Sequence, residues 1–366
     1  MKALTVGGAM VDSIAIIDSS SIERMSMRNA EASFLLLEEG RKTEAEEIST
    51  HPGGGAVNVA ISMSRLGIDA SAAVKLGMDQ RADAVLAKLE SEGVSTRWIT
   101  RDRRMPTGAS VLVSSHERNA AIFTFRGANT LLSMDDIKPE ALSVDLVYIS
   151  SLSNQSADSF PDLVMSARKA GCSVAANPGI RQLTARGRAF LDTVGSINML
   201  LINRAEADAL VPALVAAAGE GGPSLPFGHD EDVPDLIRRG LSAGGFQISL
   251  PRFFQYLLKA GVGLVVVTDG RRGAFVGASG KIVHCPALQT DVMGTAGAGD
   301  AFASTFVALT ALGWPLNRAL KAASINSASV VRHADTQSGL LTLAEIEERV
   351  EGDEALHIRE WPMEKG

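Results

Sequence analysis

The residue with the clearest chemical potential is Asp300, which ends a glycine-rich segment. The segment reads Gly294-Thr295-Ala296-Gly297-Ala298-Gly299-Asp300. Its glycines disfavour a helix because each loses much backbone entropy on ordering, whereas the apolar spacing after Asp300 predicts a helix. A loop that enters a helix N-terminus presents free N–H groups and the positive end of the helix dipole, and both attract anions. The segment therefore predicts an anion site next to a carboxylate.

A carboxylate beside a bound phosphate repels it, unless the carboxylate accepts a proton from an attacking hydroxyl group. Asp300 is therefore a candidate general base. The alternative interpretation is that Asp300 only caps and charges a surface helix.

A second glycine loop precedes a predicted helix nearer the N-terminus, at His51-Pro52-Gly53-Gly54-Gly55-Ala56-Val57-Asn58. Glycines let the hydroxyl groups of a ligand approach the backbone, and the Asn58 amide can both donate and accept hydrogen bonds. Asp12 lies just past the predicted first strand, Ala3 to Gly8, at the edge where parallel sheets bind ligands. Asn58 could instead bond to its own loop, and Asp12 could be a turn residue.

Composition narrows the class of protein. The chain has 366 residues, 46% of them hydrophobic, and a formal net charge of −7 without a basic run. These values favour a globular protein and argue against a nucleic-acid partner. No stretch predicts a signal peptide or a membrane span. Two cysteines suit a reducing cytosol, so we expect a cytoplasmic protein, and the six histidines lack metal-ligand spacing.

The order of the predicted elements indicates how these residues are positioned. Strands and helices alternate after residue 144, which predicts a parallel sheet covered by helices. Residues 13–50 are typical of extended hairpins, which could form a lid or be surface decoration, and residues 106–126 are typical of paired strands. Residues 212–250 are loop-like and are interpreted as an insertion, with a helix near residues 233–239. Residues 351–366 are predicted to form a C-terminal tail.

Two motifs together resemble the ribokinase-like (PfkB) sugar kinases. They are Gly53-Gly54-x-Ala56-x-Asn58-x-Ala60 with Gly67 and Gly77, and Gly297-Ala298-Gly299-Asp300. The resemblance implies an α/β ribokinase-like fold over residues 1–350, with a central, mostly parallel sheet flanked by helices and a small β lid formed by about residues 13–50 and 106–126. It also implies transfer of the γ-phosphoryl group of ATP to a sugar hydroxyl, with Mg²⁺ as cofactor.

The resemblance further implies a role for individual residues. Asp300 is the base, the amides of Gly297, Ala298 and Gly299 stabilise the transferred phosphoryl group, and the sugar contacts are Asp12, Gly54, Gly55, Asn58 and Arg126. The ATP contacts are Asn203, Glu206, Thr268, Gly270, Gly273 and Asn326, with Glu206 also organising Mg²⁺ through water. Asn203 and Glu206 could instead form a helix capping box, Arg126 could be an exposed strand residue, and Asn326 a polar surface residue.

Several alternatives stay open at this stage. A nucleoside kinase of the same fold is the second reading, and a non-catalytic sugar- or nucleotide-binding protein is the third. Gly294 stands where the family commonly has an acidic residue or Asn, which puts a monovalent-cation requirement in doubt. The extended lid segments predict a homodimer formed through the lid, because exposed strand edges tend to be paired or covered.

Overall fold

A computed structural model describes residues 1–18, 23–26, 33–36, 40, 42–114, 121–223, 233–352 and 355–363. Its strands, numbered in chain order, are β1 (Lys2–Gly7), β2 (Met10–Ile17), β3 (Glu23–Ser26), β4 (Ser33–Leu36), β5 (Ala45–Gly53), β6 (Asp69–Leu76), β7 (Thr100–Arg101), β8 (Gly108–Ser114), β9 (Ala121–Phe125), β10 (Leu146–Ile149), β11 (Ser173–Ala176), β12 (Met199–Asn203), β13 (Leu241–Ala243), β14 (Phe246–Ile248), β15 (Leu264–Thr268), β16 (Ala274–Ala278), β17 (Lys281–Cys285) and β18 (Arg359–Pro362). The α-helices are α1 (Gly55–Arg65), α2 (Gln80–Ser91), α3 (Phe160–Lys169), α4 (Ile180–Thr193), α5 (Arg204–Ala218), α6 (Asp235–Arg239), α7 (Leu250–Lys259), α8 (Ala298–Ala311), α9 (Leu316–Val330) and α10 (Leu343–Gly352).

A large central sheet has the strand order β18-β17-β16-β15-β12-β11-β10-β1-β6-β7. The pairs from β7 through β15 are parallel, and β16, β17 and β18 continue the sheet in antiparallel pairs. This α/β architecture with a mostly parallel sheet confirms the predicted fold class. The carboxyl ends of the parallel strands meet at one edge, where ligands bind in such folds.

Continuous apolar strands allow the sheet to be covered on both faces. Successive side chains of a strand point to opposite faces, so Val266 packs into one hydrophobic cluster and its neighbours Val265 and Val267 into the other. The first cluster includes residues of α1, α8 and α9, and the second includes residues of α3, α5 and α7. The helices that carry the two glycine motifs therefore lie on the same face of the sheet.

A second sheet, the lid, has the order β5-β2-β8-β9. Its register places Asp12, Ser110 and Thr124 on one face, which we call the inner lid face. The opposite, outer lid face carries Val111 and Phe123, directly paired across β8 and β9. Strands β3 and β4 form a separate hairpin. The described residues of the two predicted lid segments thus lie mostly in strands, although β3 and β4 are outside the lid sheet.

Two predicted boundaries are wrong. Helix α5 runs to Ala218 with Pro212 inside it, so the first residues assigned to the loop-like insertion are helical. The segment assigned to a C-terminal tail supplies β18, which pairs with β17 and buries Trp361. An isolated four-residue strand carries little sequence signal, and its position depends on a partner far away in the chain.

None of the helices in the described ranges is long and apolar enough to cross a lipid bilayer.

Candidate active site

The two glycine motifs meet at the carboxyl edge of the central sheet. Gly54 has φ +97°, and a Cβ atom there would lie 2.6 Å from the carbonyl oxygen of Gly8. A Cβ on Gly55 would overlap the Ser150 hydroxyl and lie 3.5 Å from Oδ1 of Asp300. Glycines are therefore required here because two other loops and the Asp300 carboxylate approach the same backbone.

Asp300 lies in the first turn of α8, whose N-cap is Gly297 in the left-handed conformation with φ +79°. The backbone N–H groups of Ala298, Gly299 and Asp300 therefore belong to the first turn, where a helix offers no internal acceptor. Burial raises the pKa of Asp300, and the nearby negative charge of Asp12 raises it further. The structure thus brings the predicted base and the predicted amides to one helix end.

Asn58 holds the Asp300 carboxylate in place. Its Nδ2 donates to Oδ2 of Asp300 at 2.8 Å, and this bond lowers the pKa of Asp300. Its Oδ1 accepts from the Thr336 hydroxyl at 3.0 Å and from Nε2 of Gln337 at 2.9 Å. The two donors fix which side of the amide faces Asp300. Asn58 is therefore a positioning residue, in addition to its predicted contact with the sugar.

Thr336 and Gln337 were missed by sequence reasoning. Gln337 also donates to the carbonyl oxygen of Pro52 at 2.7 Å, and a Cβ on Gly297 would lie 2.7 Å from the Cβ of Thr336. The pair therefore links the two glycine loops. The sequence offers no local signal for these contacts, because Thr336 and Gln337 bond to Asn58 across 278 and 279 residues.

Asp12 lies within β2 on the inner lid face, so the expectation that it follows the first strand in a turn is corrected. Its Oδ1 accepts a short hydrogen bond from the Ser110 hydroxyl of β8. Burial raises the pKa of Asp12, whereas the hydrogen bond from Ser110 and the charge of His51 act to lower it. The structure therefore places a second carboxylate near Asp300, and Ser110 is a polar neighbour that the sequence did not reveal.

Four of the six predicted ATP contacts lie at the ends of β12 and β15. Asn203 and Thr268 are paired in register, and Gly270 and Gly273 bracket the turn that follows Thr268. Asp269, buried in this turn, accepts from Arg204 at 3.2 Å and from Arg272 at 3.4 Å. This ion pair links the two strand ends.

Glu206 and Asn203 form a capping box at the start of α5. The backbone N–H of Asn203 donates to Oε2 of Glu206, and the backbone N–H of Glu206 donates to Oδ1 of Asn203, both at 2.9 Å. Burial raises the pKa of Glu206 to about 7, and the charge of Asp300 raises it too. The capping interpretation is therefore confirmed, and the charge of Glu206 also interacts with that of Asp300.

The residues present fit a magnesium ion that is bound mainly through water and phosphate. Within the described ranges there is no cluster of three or more His, Cys, Asp or Glu that would form a protein cage. Mg²⁺ typically keeps several waters and binds through one or two carboxylates plus substrate phosphates. Glu206 is the residue here that could supply such a carboxylate.

The prediction that Asn326 lines the adenine pocket is wrong in this structure. Asn326 is 0% exposed, and its side chain donates to the Thr305 hydroxyl at 2.7 Å and accepts from the Leu341 amide at 2.9 Å. It joins α8, α9 and the following loop. Helical periodicity could not distinguish this buried contact from an exposed position.

Arg126 follows the last lid strand and is half-buried. Together with Arg181, at the start of α4, it lines a cavity of about 420 Å³. Arg126 is therefore not the exposed strand residue of the alternative interpretation. Arg181, which lines the same cavity, was not predicted from the sequence.

Comparison with known proteins identifies the family. The sequence model of a family described as "pfkB family carbohydrate kinase" matches residues 12–221 and 252–343. The chain belongs to this family. It is accordingly a phosphotransferase with an alcohol group as acceptor, as the resemblance implied, and the matched stretches include both glycine motifs.

Individual relatives are distant but cover nearly the whole chain. Deoxyribokinase from Salmonella typhi is 23% identical over 338 residues, which are 92% of this chain and 97% of that protein. An E. coli protein described as a ribokinase II, solved with ATP and Mg²⁺, has a TM-score of 0.72 at 18% identity and covers 96% of this chain and 99% of that one. Ribokinase from Arabidopsis thaliana, solved with ribose and ATP, has a TM-score of 0.69 at 19% identity, with coverage of 96% and 98%. The two structures share the fold of this PfkB kinase.

Proposed function

We propose that this PfkB kinase transfers the γ-phosphoryl group of ATP to a hydroxyl group of a small carbohydrate, with Asp300 as general base. The observation that carries the proposal is the position of the Asp300 carboxylate. It lies in the first turn of α8, bonded to Asn58 at 2.8 Å and next to amides that a helix leaves unpaired.

In this mechanism an oxygen of the sugar attacks the γ-phosphorus while its proton passes to a carboxylate oxygen of Asp300. The bond between the γ-phosphorus and the β–γ bridging oxygen breaks, and ADP leaves. Burial raises the pKa of Asp300 and so makes the carboxylate a better proton acceptor. The amides of Gly297, Ala298 and Gly299 stabilise the negative charge on the transferred group, and one such donor is worth about 3 kcal/mol.

The substrates occupy the two sides of Asp300. Asp12, Gly54, Gly55 and Asn58 bind sugar hydroxyls, and Ser110 orients Asp12 toward them. Asn203, Thr268, Gly270 and Gly273 bind ATP at the ends of β12 and β15. Glu206 would hold Mg²⁺ through water, and the ion would neutralise the charge of the triphosphate. The lid excludes water, which would otherwise compete as the acceptor.

We further propose a cytoplasmic homodimer formed through the outer lid face. Ile48, Val111 and Phe123 lie on this face and are 73%, 46% and 62% exposed. Strands β5 and β9 are the edges of the lid sheet. A second copy of the chain would cover both the apolar face and an unpaired edge, which are otherwise sites of aggregation.

A coupled assay of ADP release with a panel of sugars and nucleosides tests the proposed activity. We expect a sugar to stimulate ADP release, with a phosphomonoester in the ³¹P NMR spectrum of the product. If nucleosides were the better acceptors, the nucleoside-kinase alternative would replace this assignment.

A further inference from the structure

The cavity beside the lid is lined by two arginines and by neutral residues. Arg126 follows β9, and Arg181 is the second residue of α4. The neutral lining includes the polar side chains of Thr124, Thr130 and Asn154. No aspartate or glutamate is found among the lining residues that the structure describes. The chain has a net charge of −7, so a cavity lining with two positive charges and no negative one is opposite in sign to the chain as a whole.

Neither arginine has a carboxylate partner within the described part of the chain. Other arginines are paired, such as Arg65 with Glu92 at 2.7 Å and Arg186 with Asp158 at 2.6 Å. Burial lowers the pKa of the Arg126 guanidinium, and the like charge of Arg181 lowers it further. An anion between the two guanidinium groups would remove this repulsion and satisfy their donors.

The cavity lies on the same edge of the central sheet as Asp300. Asn154 and Arg181 follow the carboxyl ends of β10 and β11, and Ser150, next to the Gly55 loop, directly follows β10. Thr124 shares the inner lid face with Asp12, which binds sugar hydroxyls in the proposed function. A sugar held at Asp12 and Asp300 would therefore extend toward the two arginines.

The backbone at Asn154 has a conformation that is more common at binding sites than elsewhere. Asn154 has φ +55° and is the one non-glycine residue with positive φ in the described ranges. Its carbonyl oxygen accepts from Nη2 of Arg186 at 2.9 Å, which holds the strained turn in place. Non-glycine residues in this conformation cost free energy and occur preferentially at binding sites.

We propose that the acceptor of this kinase is an anionic sugar, a sugar acid or a sugar phosphate, whose carboxylate or phosphate group binds Arg126 and Arg181. The inference rests on the proposed function and specifies its substrate class. The charged group lies at the end of the sugar away from the hydroxyl that faces Asp300, and Thr124, Thr130 and Asn154 provide hydrogen bonds around it.

Calorimetric binding without ATP tests the anion site independently of phosphoryl transfer. Matched pairs serve as probes: ribose with ribose 5-phosphate, fructose with fructose 6-phosphate, and glucose with glucuronate. We expect at least one charged sugar to bind 10-fold or more tightly than its neutral partner, because hydrogen bonds to charged groups are worth about twice neutral ones. The phosphate and carboxylate pairs distinguish the two classes of anion. Failure of every charged sugar to bind more tightly overturns the proposal.

Arg126→Gln and Arg181→Gln locate the site. Each variant should weaken binding of the charged sugar by about 10- to 100-fold, raise its KM more than it lowers kcat, and change binding of the neutral partner much less. Arg188→Gln is the matched control, because Arg188 lies on the same helix as Arg181, is exposed and pairs with Asp192. Unchanged affinity of both cavity variants for the charged sugar would refute the assignment.

The binding and turnover experiments fail separately. If a neutral sugar is phosphorylated as efficiently as its charged partner, the anionic-substrate inference is wrong and the kinase assignment stands. If a charged sugar binds through the two arginines but no sugar of the panel stimulates ADP release, the anion site stands and the proposed phosphoryl transfer to a sugar hydroxyl is wrong.

Discussion

Asn58 offers the sharpest test of how the site is organised, because its side chain contacts Asp300 directly and is itself held by two donors. Asn58→Ala removes the bond from Nδ2 to Asp300 and the acceptor for Thr336 and Gln337. A hydrogen bond to a charged group contributes about 1.5–3 kcal/mol. One pKa unit corresponds to about 1.4 kcal/mol, so the pKa of Asp300 should rise by about one to two units.

The sign of the effect follows from which form the bond stabilises. Asn58 donates to the ionised carboxylate and so lowers the pKa of Asp300. Loss of the donor raises that pKa, and a higher pH is then needed to keep the base ionised. The acid limb of the kcat/KM profile should therefore move to higher pH by about one to two units.

The assay is the pH dependence of kcat/KM for the parent, Asn58→Ala and the control Asn326→Ala. Asn326 is also a buried asparagine with two hydrogen bonds, to Thr305 and Leu341, but it does not contact Asp300. Both variants should lose stability, and Asn58→Ala alone should shift the acid limb. An unshifted limb in Asn58→Ala, or an equal shift in both variants, would refute the role given to Asn58.

Three further predictions concern cations, assembly and pH. Because Gly294 has no carboxylate, K⁺ should change kcat/KM by less than about threefold at constant ionic strength, and a tenfold activation would contradict this. Phe123→Lys on the outer lid face should convert a dimer into a monomer in light scattering at micromolar concentration, whereas the exposed control Met165→Lys should not; a monomeric parent would exclude the dimer. Protons compete with Mg²⁺ for Glu206, whose pKa is about 7, so the KM for Mg-ATP should rise as pH falls below 7. Glu206→Gln should abolish that rise, and its persistence in the variant would argue against the metal role.

Much of the fold and the central pair of motifs could be predicted from local sequence. Continuous apolar strands such as Leu264–Thr268 and glycine loops before helices are local signals, and both occur where predicted. The family pattern then related Asn58 to Asp300, which lie 242 residues apart and are hydrogen-bonded.

The parts that were missed depend on contacts between distant segments. Ser110 bonds to Asp12 through lid register, and Gln337 bonds to Asn58 across 279 residues. Asn326 has the same local pattern as a surface residue, and the structure buries it between helices. Arg181 belongs to no sequence motif, and a function is suggested only by its position in the same cavity as Arg126. Such pairings need the tertiary structure.

The central claim is that Asp300 accepts the proton of the sugar hydroxyl, and Asp300→Asn tests it most directly. The amide oxygen can still accept from Asn58, and removal of a carboxylate whose pKa burial raises should not lower stability. Turnover should fall by about 10²–10⁴, while calorimetry shows parental affinities for ATP and sugar and the melting temperature is retained. Turnover close to that of the parent, with both substrates bound, would contradict the assignment of Asp300 as the base.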